Sequence, residues 1–244
     1  MTKTEYGLIK PKAEFPVRRL LVVPHKGNDL TVSYPAFGPS YFGRNIKEMQ
    51  ESYSHPVTGE RISFREPTIP ESISAAAYDF GNLAKPDIFD PAWLQLGLIV
   101  RTSEGVFVNP PKNREGKCII DEKILKSMLN GTEKVNGIWL LPNDFGFPND
   151  FGFAPYETFQ RGIQDCDVFA KGGLARVLEH TQEKKSRNLK EIASSKFYKR
   201  GVNVWSFSSI KEPVLRVAGL RSYRSLNGDR LEGGDYDWNE SRIG

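Results

Sequence analysis

The chain has 244 residues, of which 39% are hydrophobic and 26% charged, and its formal net charge is +4. That length and balance suit a folded protein with a real core and exclude a disordered chain. The longest purely aliphatic run, Leu20 to Val23, is too short for a membrane helix or a signal-peptide core, so a cytoplasmic protein without a membrane partner is expected.

Residues 17–23 read as a strand closed by Pro24, and 28–34 as a second, with hairpin turn chemistry over 25–29. Over 40–53, Phe42, Ile46, Met49 and Tyr53 recur at helical spacing and predict a helix with one apolar stripe. Residues 55–64 turn into a short strand. A helix from about Glu71 to Leu83 follows, bounded by Pro70 and by Gly81 and Pro86. Residues 90–97 read as a short helix with Asp90 as N-cap and Pro91 in its first turn. Two apolar runs around Thr102-Ser103-Glu104-Gly105 form the clearest hairpin. Asp121 caps a helix that buries Ile124, Leu125, Met128 and Leu129 and stops at Asn130-Gly131. Residues 137–141 are a strand.

From Asp167 to Ser194 the pattern is helical, with one stripe through Leu174, Val177, Leu178, Leu189 and Ile192 and a weak point at Gly172-Gly173. Glu183 and Arg187 form a favourable i, i+4 pair. Strands over 201–207 and 213–220 follow. The acidic tail from Asn227, with Asp229, Glu232, Asp235, Asp237 and Glu240, reads as solvated turns. Hairpins mixed with helices, without regular βαβ alternation, predict an α+β fold with a mainly antiparallel sheet and several packed amphipathic helices. Pro/Gly-rich stretches divide the chain into residues 1–141, an aromatic loop over 142–160 and a C-terminal part over 161–244, unless 1–244 is one domain.

The hexamer Pro-Asn-Asp-Phe-Gly-Phe occurs twice in tandem over 142–153. Each copy reads as an Asx-type turn presenting two rings. The rings can fill a core, or they can display a protein-contact or self-association surface. If the repeat is such a surface, Phe151 and Phe153 anchor the loop and Phe145 and Phe147 are displayed. A stacking platform for single-stranded nucleic acid is disfavoured there, because Asp144, Asp150 and Glu157 are present and no Lys or Arg lies between Lys134 and Arg161.

Residues 171–200 hold nine basic against three acidic residues, a net of +6, which leaves −2 for the rest of the chain. Local basicity of this kind is the footprint of a polyanion or an acidic partner. Lys184, Lys185, Arg187, Lys196, Lys199 and Arg200 are the expected contacts to nucleic acid or an acidic protein.

No catalytic constellation stands out, and no cofactor is expected. Asp87, Asp121 and Lys123 loosely match a metal-dependent enzyme acting on phosphate esters, in which the two carboxylates share a Mg²⁺; Asp121 is equally a helix cap. Asp165-Cys166-Asp167 reads as helix-start acids before it reads as a metal site. His25, His55 and His180 are scattered, and Cys118 and Cys166 read as reduced thiols. The reading that follows is a binding or assembly protein, with the phosphate-ester enzyme as its competitor.

Overall fold

The computed structural model describes residues 5–9, 18–34, 53–55, 58–82, 94–141, 150–195, 198, 201–223 and 230–237. Strands β1 (Glu5–Ile9), β2 (Arg18–His25) and β3 (Asn28–Tyr34) make a three-stranded antiparallel sheet. Lys26 and Gly27 turn its tip with φ of 47° and 82°, the pair of positive angles that a two-residue type I′ hairpin requires. Strands β4 (Tyr53–Ser54) and β5 (Arg61–Ile62) pair with each other, and Tyr53 packs edge-on against Phe64 beside Leu20.

Helix α1 spans Ile69–Asn82. Thr68 and Glu71 start it as a capping box: Thr68 N donates to Glu71 Oε2 at 2.8 Å, and Glu71 N donates to Thr68 Oγ1. The residues from β6 onward build one nine-stranded sheet. Its strands are β6 (Leu94–Arg101), β7 (Gly105–Val108), β8 (Lys134–Val135), β9 (Ile138–Leu140), β10 (Gly152–Pro155), β11 (Gly162–Gln164), β12 (Val202–Val204), β13 (Val214–Tyr223) and β14 (Arg230–Asp237). Their spatial order is β11-β12-β14-β13-β6-β7-β10-β9-β8. Only β12 and β14 run parallel; every other neighbouring pair is antiparallel. The fold is α+β, as its alternation pattern predicts.

Strand β7 shows how the layers divide. Val106 and Val108 face a core built with α1, α3 (Cys166–Lys171), α4 (Gly173–Glu179) and α5 (Arg187–Ala193). Phe107 faces the other way, into a cluster with Phe151, Phe153 and Leu125 of α2 (Glu122–Ser127). Among the described residues, no helix is long and apolar enough to cross a membrane.

Several expectations need correction. Leu94 to Gly97 are not helical but open β6, where Leu94 pairs with Leu220; ladder pairing across a sheet overrides weak local helix signals. The region from Asp167 to Ser194 is three helices, not one. Gly172 caps α3 at one side and α4 at the other, and a side chain at Gly173 would collide with Thr158 and Ile138, so the helix can approach the sheet only there. The helical phase is nevertheless right: Leu174, Val177, Leu178, Leu189 and Ile192 are all buried. Ile124 of α2 is exposed at 47%, although Asp121 caps that helix as expected, accepting from Ile124 N at 3.0 Å. The described part of the acidic tail, residues 230–237, is not a set of solvated turns. Arg230–Asp237 is an interior strand, and Glu232 and Asp235 are buried in it.

In the second hexamer copy Asp150 is a turn residue, but the rings that follow it are not displayed. Phe153 in β10 and Phe151 just before it are both buried in the same cluster, and Phe153 lies 4.3 Å from Phe107 between ring centroids. Gly152 between them faces the helices, where a Cβ would meet Val177 at 2.7 Å and the Trp139 carbonyl at 2.8 Å. Phe-Gly-Phe is thus two core rings on one side and a helix contact on the other. Of the helix expected over 40–53, only Tyr53 is among the described residues, and it lies in β4 instead; residues 40–52 and the first copy, with Phe145 and Phe147, lie outside them.

Candidate functional site: a basic connection beside a buried polar cluster

Helix α4 ends at His180, whose φ of 50° is the left-handed conformation common after a helix C-terminus. From there residues 181–186 run to α5, carrying Lys184 and Lys185, both exposed, with exposed Arg187 as the first residue of that helix. Two buried side chains pin this connection. Arg176 donates to the carbonyls of Val135 (3.0 Å), Asn136 (2.8 Å) and Glu183 (2.8 Å), so it belongs to the scaffold and not to the basic face. Glu179 accepts from the Ser186 hydroxyl and from Asn188 N at 3.3 Å; burial nonetheless pushes its pKa above the ordinary value. Ser186 in turn caps α5 by accepting from Leu189 N.

The exposed charges are not equivalent. Arg187 is 2.7 Å from Glu183, the expected pair, although Glu183 lies outside any helix. Lys190 is 2.6 Å from Asp167. Among the described residues, Lys184 and Lys185 have no carboxylate within ion-pair distance. Lys196, Lys199 and Arg200 lie outside the described residues.

On the inner side of His180 lies a cluster that the sequence pattern does not reveal. His180 Nδ1 is 3.0 Å from Asp150 Oδ1, and Lys26 Nζ from the β2–β3 tip is 3.2 Å from the same oxygen. Asn109 Nδ2 reaches the Asp150 carbonyl at 3.5 Å. Burial works against the Asp150 carboxylate, but the His180 hydrogen bond and the Lys26 cation outweigh it and hold the pKa below the ordinary value. Next to Lys26, His25 Nδ1 lies 2.9 Å from Ser74 Oγ of α1, which also accepts from Asn188 Nδ2 at 3.1 Å. Burial and the Lys26 cation push His25 below the usual imidazole value; Arg65 adds to this, while Glu71 and Asp150 pull the other way.

Of the six non-glycine residues with positive φ among the described residues, four belong to this cluster: Lys26, Asn109, Asp150 and His180. Such conformations concentrate where a structure over-determines them, often at functional sites. The signals available in the sequence were faint. Asn-Asp before Phe marks a turn at Asp150, and two of the three histidines take part, but Lys26, Asp150 and His180 are spread over most of the chain.

Of the other expected site residues, Asp165, Cys166 and Asp167 each bring one ligand atom within 4.8 Å of the others. The Asp121 carboxylate is taken by its helix, and Asp87 lies outside the described residues, so no Asp87–Asp121 pair is on view. Asp165 caps α3, accepting from Asp167 N at 2.7 Å, and Asp167 is held by Lys190, with Cys166 between them. Cys118 and Cys166 are both free thiols.

No protein-family model, no curated protein and no solved structure matches this chain.

Proposed function

We propose that this chain is a binding protein whose basic connection, Lys184, Lys185 and Arg187, takes the phosphate backbone of nucleic acid, with Lys196, Lys199 and Arg200 extending the same contact. One observation carries the reading: three exposed cations sit on a segment whose backbone is pinned by buried Arg176 and Glu179. A pinned segment loses little further conformational entropy on binding. In the cluster, the Asp150 carboxylate is paired with the Lys26 cation at 3.2 Å and does not repel a phosphate as a bare carboxylate would. Contacts of this kind fix position and carry little sequence information.

The test is fluorescence anisotropy with a labelled single-stranded RNA. Six phosphate contacts on a single strand predict an affinity that falls roughly 300-fold between 50 and 200 mM salt, and those of Lys184, Lys185 and Arg187 alone roughly 20-fold. Reversing Lys184, Lys185 and Arg187 to Glu together removes binding in this reading. RNA binding that survives the triple reversal refutes it, and competition by an acidic peptide tighter than RNA assigns the surface to an acidic protein instead. The aromatic repeat keeps a separate role in this reading: anchored Phe151 and Phe153 leave Phe145 and Phe147 for protein contact or self-association.

A further inference from the structure

His25 and His180 use their ring nitrogens alike. Each commits Nδ1 inward, to Ser74 Oγ and to Asp150 Oδ1 respectively, and neither Nε2 has a hydrogen-bond partner among the described residues. Lys26 shares Asp150 Oδ1 with His180 while its side chain stays 45% exposed. Ser74 is not a nucleophile here: it is buried within α1 and held between His25 and Asn188. The cluster therefore offers a proton acceptor, a proton donor and a cation. That set suits a substrate that brings its own nucleophile, and a phosphodiester next to a free hydroxyl, as in RNA, does so.

We propose that His25, Lys26 and His180 form a catalytic site for the transesterification of RNA-type phosphodiesters. The inference rests on the nucleic-acid reading of the adjoining basic connection. His25 is the base: in the tautomer that donates Nδ1–H to Ser74 Oγ, which also accepts from Asn188, the bare Nε2 takes the 2′-hydroxyl proton. The 2′-oxygen forms a bond to phosphorus as the bond from phosphorus to the 5′-oxygen breaks. His180, protonated, delivers its Nε2 proton to the leaving 5′-oxygen. The products are a 2′,3′-cyclic phosphate and a 5′-hydroxyl; no electron is transferred, and solvent returns both imidazoles to their starting states. Lys26 faces the charge that gathers on the non-bridging oxygens. Asp150 is a positioning residue, which fixes the His180 tautomer and balances the imidazolium.

The charges that face His25 are Lys26, Arg65, Glu71 and Asp150; His180 faces Asp150 and, across it, Lys26. A base that must be neutral and an acid that must be charged predict a bell-shaped pH profile. Burial and Lys26 favour the neutral His25 that the base role needs.

The experiment incubates the full chain with the dinucleotide UpA, with a single-stranded RNA and with its all-deoxy counterpart, and reads the ends by mass spectrometry. RNA and UpA cleaved to cyclic phosphate ends, with the deoxy strand intact, is the expected result. His25→Asn and His180→Asn each lower the rate about 100-fold or more. Asn suits the left-handed backbone at position 180, and melting temperature confirms folding. Lys26→Gln, at an exposed turn, removes the cation beside Asp150 and lowers the rate; an unchanged rate in the folded variant overturns the role of Lys26. Asp150→Asn lowers kcat for UpA and leaves its KM in place, a split that a merely structural role would not produce. RNA that binds without being cleaved between pH 5 and 8 overturns the catalytic site and leaves the binding reading standing. UpA cleaved with no binding of the longer RNA does the reverse. Cleavage unchanged in folded His25→Asn and His180→Asn also overturns the proposal.

Discussion

Glu71 links local structure to a measurable pH dependence. Its carboxylate takes the Arg65 guanidinium at 2.6 and 2.8 Å and also closes the capping box with Thr68. The Arg65 hydrogen bond, against the cost of burial, lowers its pKa from 4.5 to about 2. A depressed carboxylate pKa stabilises the fold above the unfolded value, and that stability is lost as pH falls through the folded one. With Arg65 largely exposed, solvent screening leaves about 1–2 kcal/mol at neutral pH. Denaturant melts of Glu71→Gln should show this deficit at pH 7, and it should shrink as pH falls from about 4.5 towards 2. A deficit that stays constant over that range would assign it to lost packing instead of charge. His180 and Asp150 belong to the same scale. Their left-handed backbones are invisible to any periodicity, because they depend on what the neighbouring elements impose.

Among the elements, β14 carries the largest error of the sequence reading. Its run Glu232-Gly233-Gly234-Asp235 has neither β-branched residues nor alternation, the usual strand signals. The structure supplies what the pattern lacks: Gly234 lies against the Trp205 ring, which a Cβ would strike, and Asp235 meets Arg101 of β6 at 3.2 Å and Arg216 of β13 at 3.8 Å. Burial pushes Asp235 above the ordinary pKa, against the pull of both arginines. By contrast α1, α2 and the β6–β7 hairpin were legible, since caps, apolar spacing and turn residues are local signals. Removing one partner of a buried pair strands the other charge, so Asp235→Ala should cost about 3–5 kcal/mol. In a double-mutant cycle with Arg101→Met the two losses should be far from additive, because the second substitution removes a charge already orphaned. Additive losses in urea melts would show that the two side chains do not interact.

On the scale of the whole molecule, strands from both sides of the tandem repeat lie in one sheet: β9 precedes it, and β10 begins inside its second copy. Phe151 and Phe153 of the second copy are core, which leaves the first copy for the connection between the two strands. Deleting residues 142–147 should therefore leave a folded protein, while light scattering reports loss of any self-association that depends on Phe145 and Phe147. A deletion that melts far below the parent, with assembly unchanged in what stays folded, would place both copies in the core. The order β11-β12-β14-β13 has another consequence. Lift out β14 and the sheet falls into two pieces, β11 with β12 on one side and β13 through β8 on the other. β13 and β14 are separated by only residues 224–229, so the two leave the ribosome nearly together. Until they do, the edges of β12 and β6 that they will cover stay unpaired, and this is the interval in which the nascent chain is most open to pairing with the wrong strand.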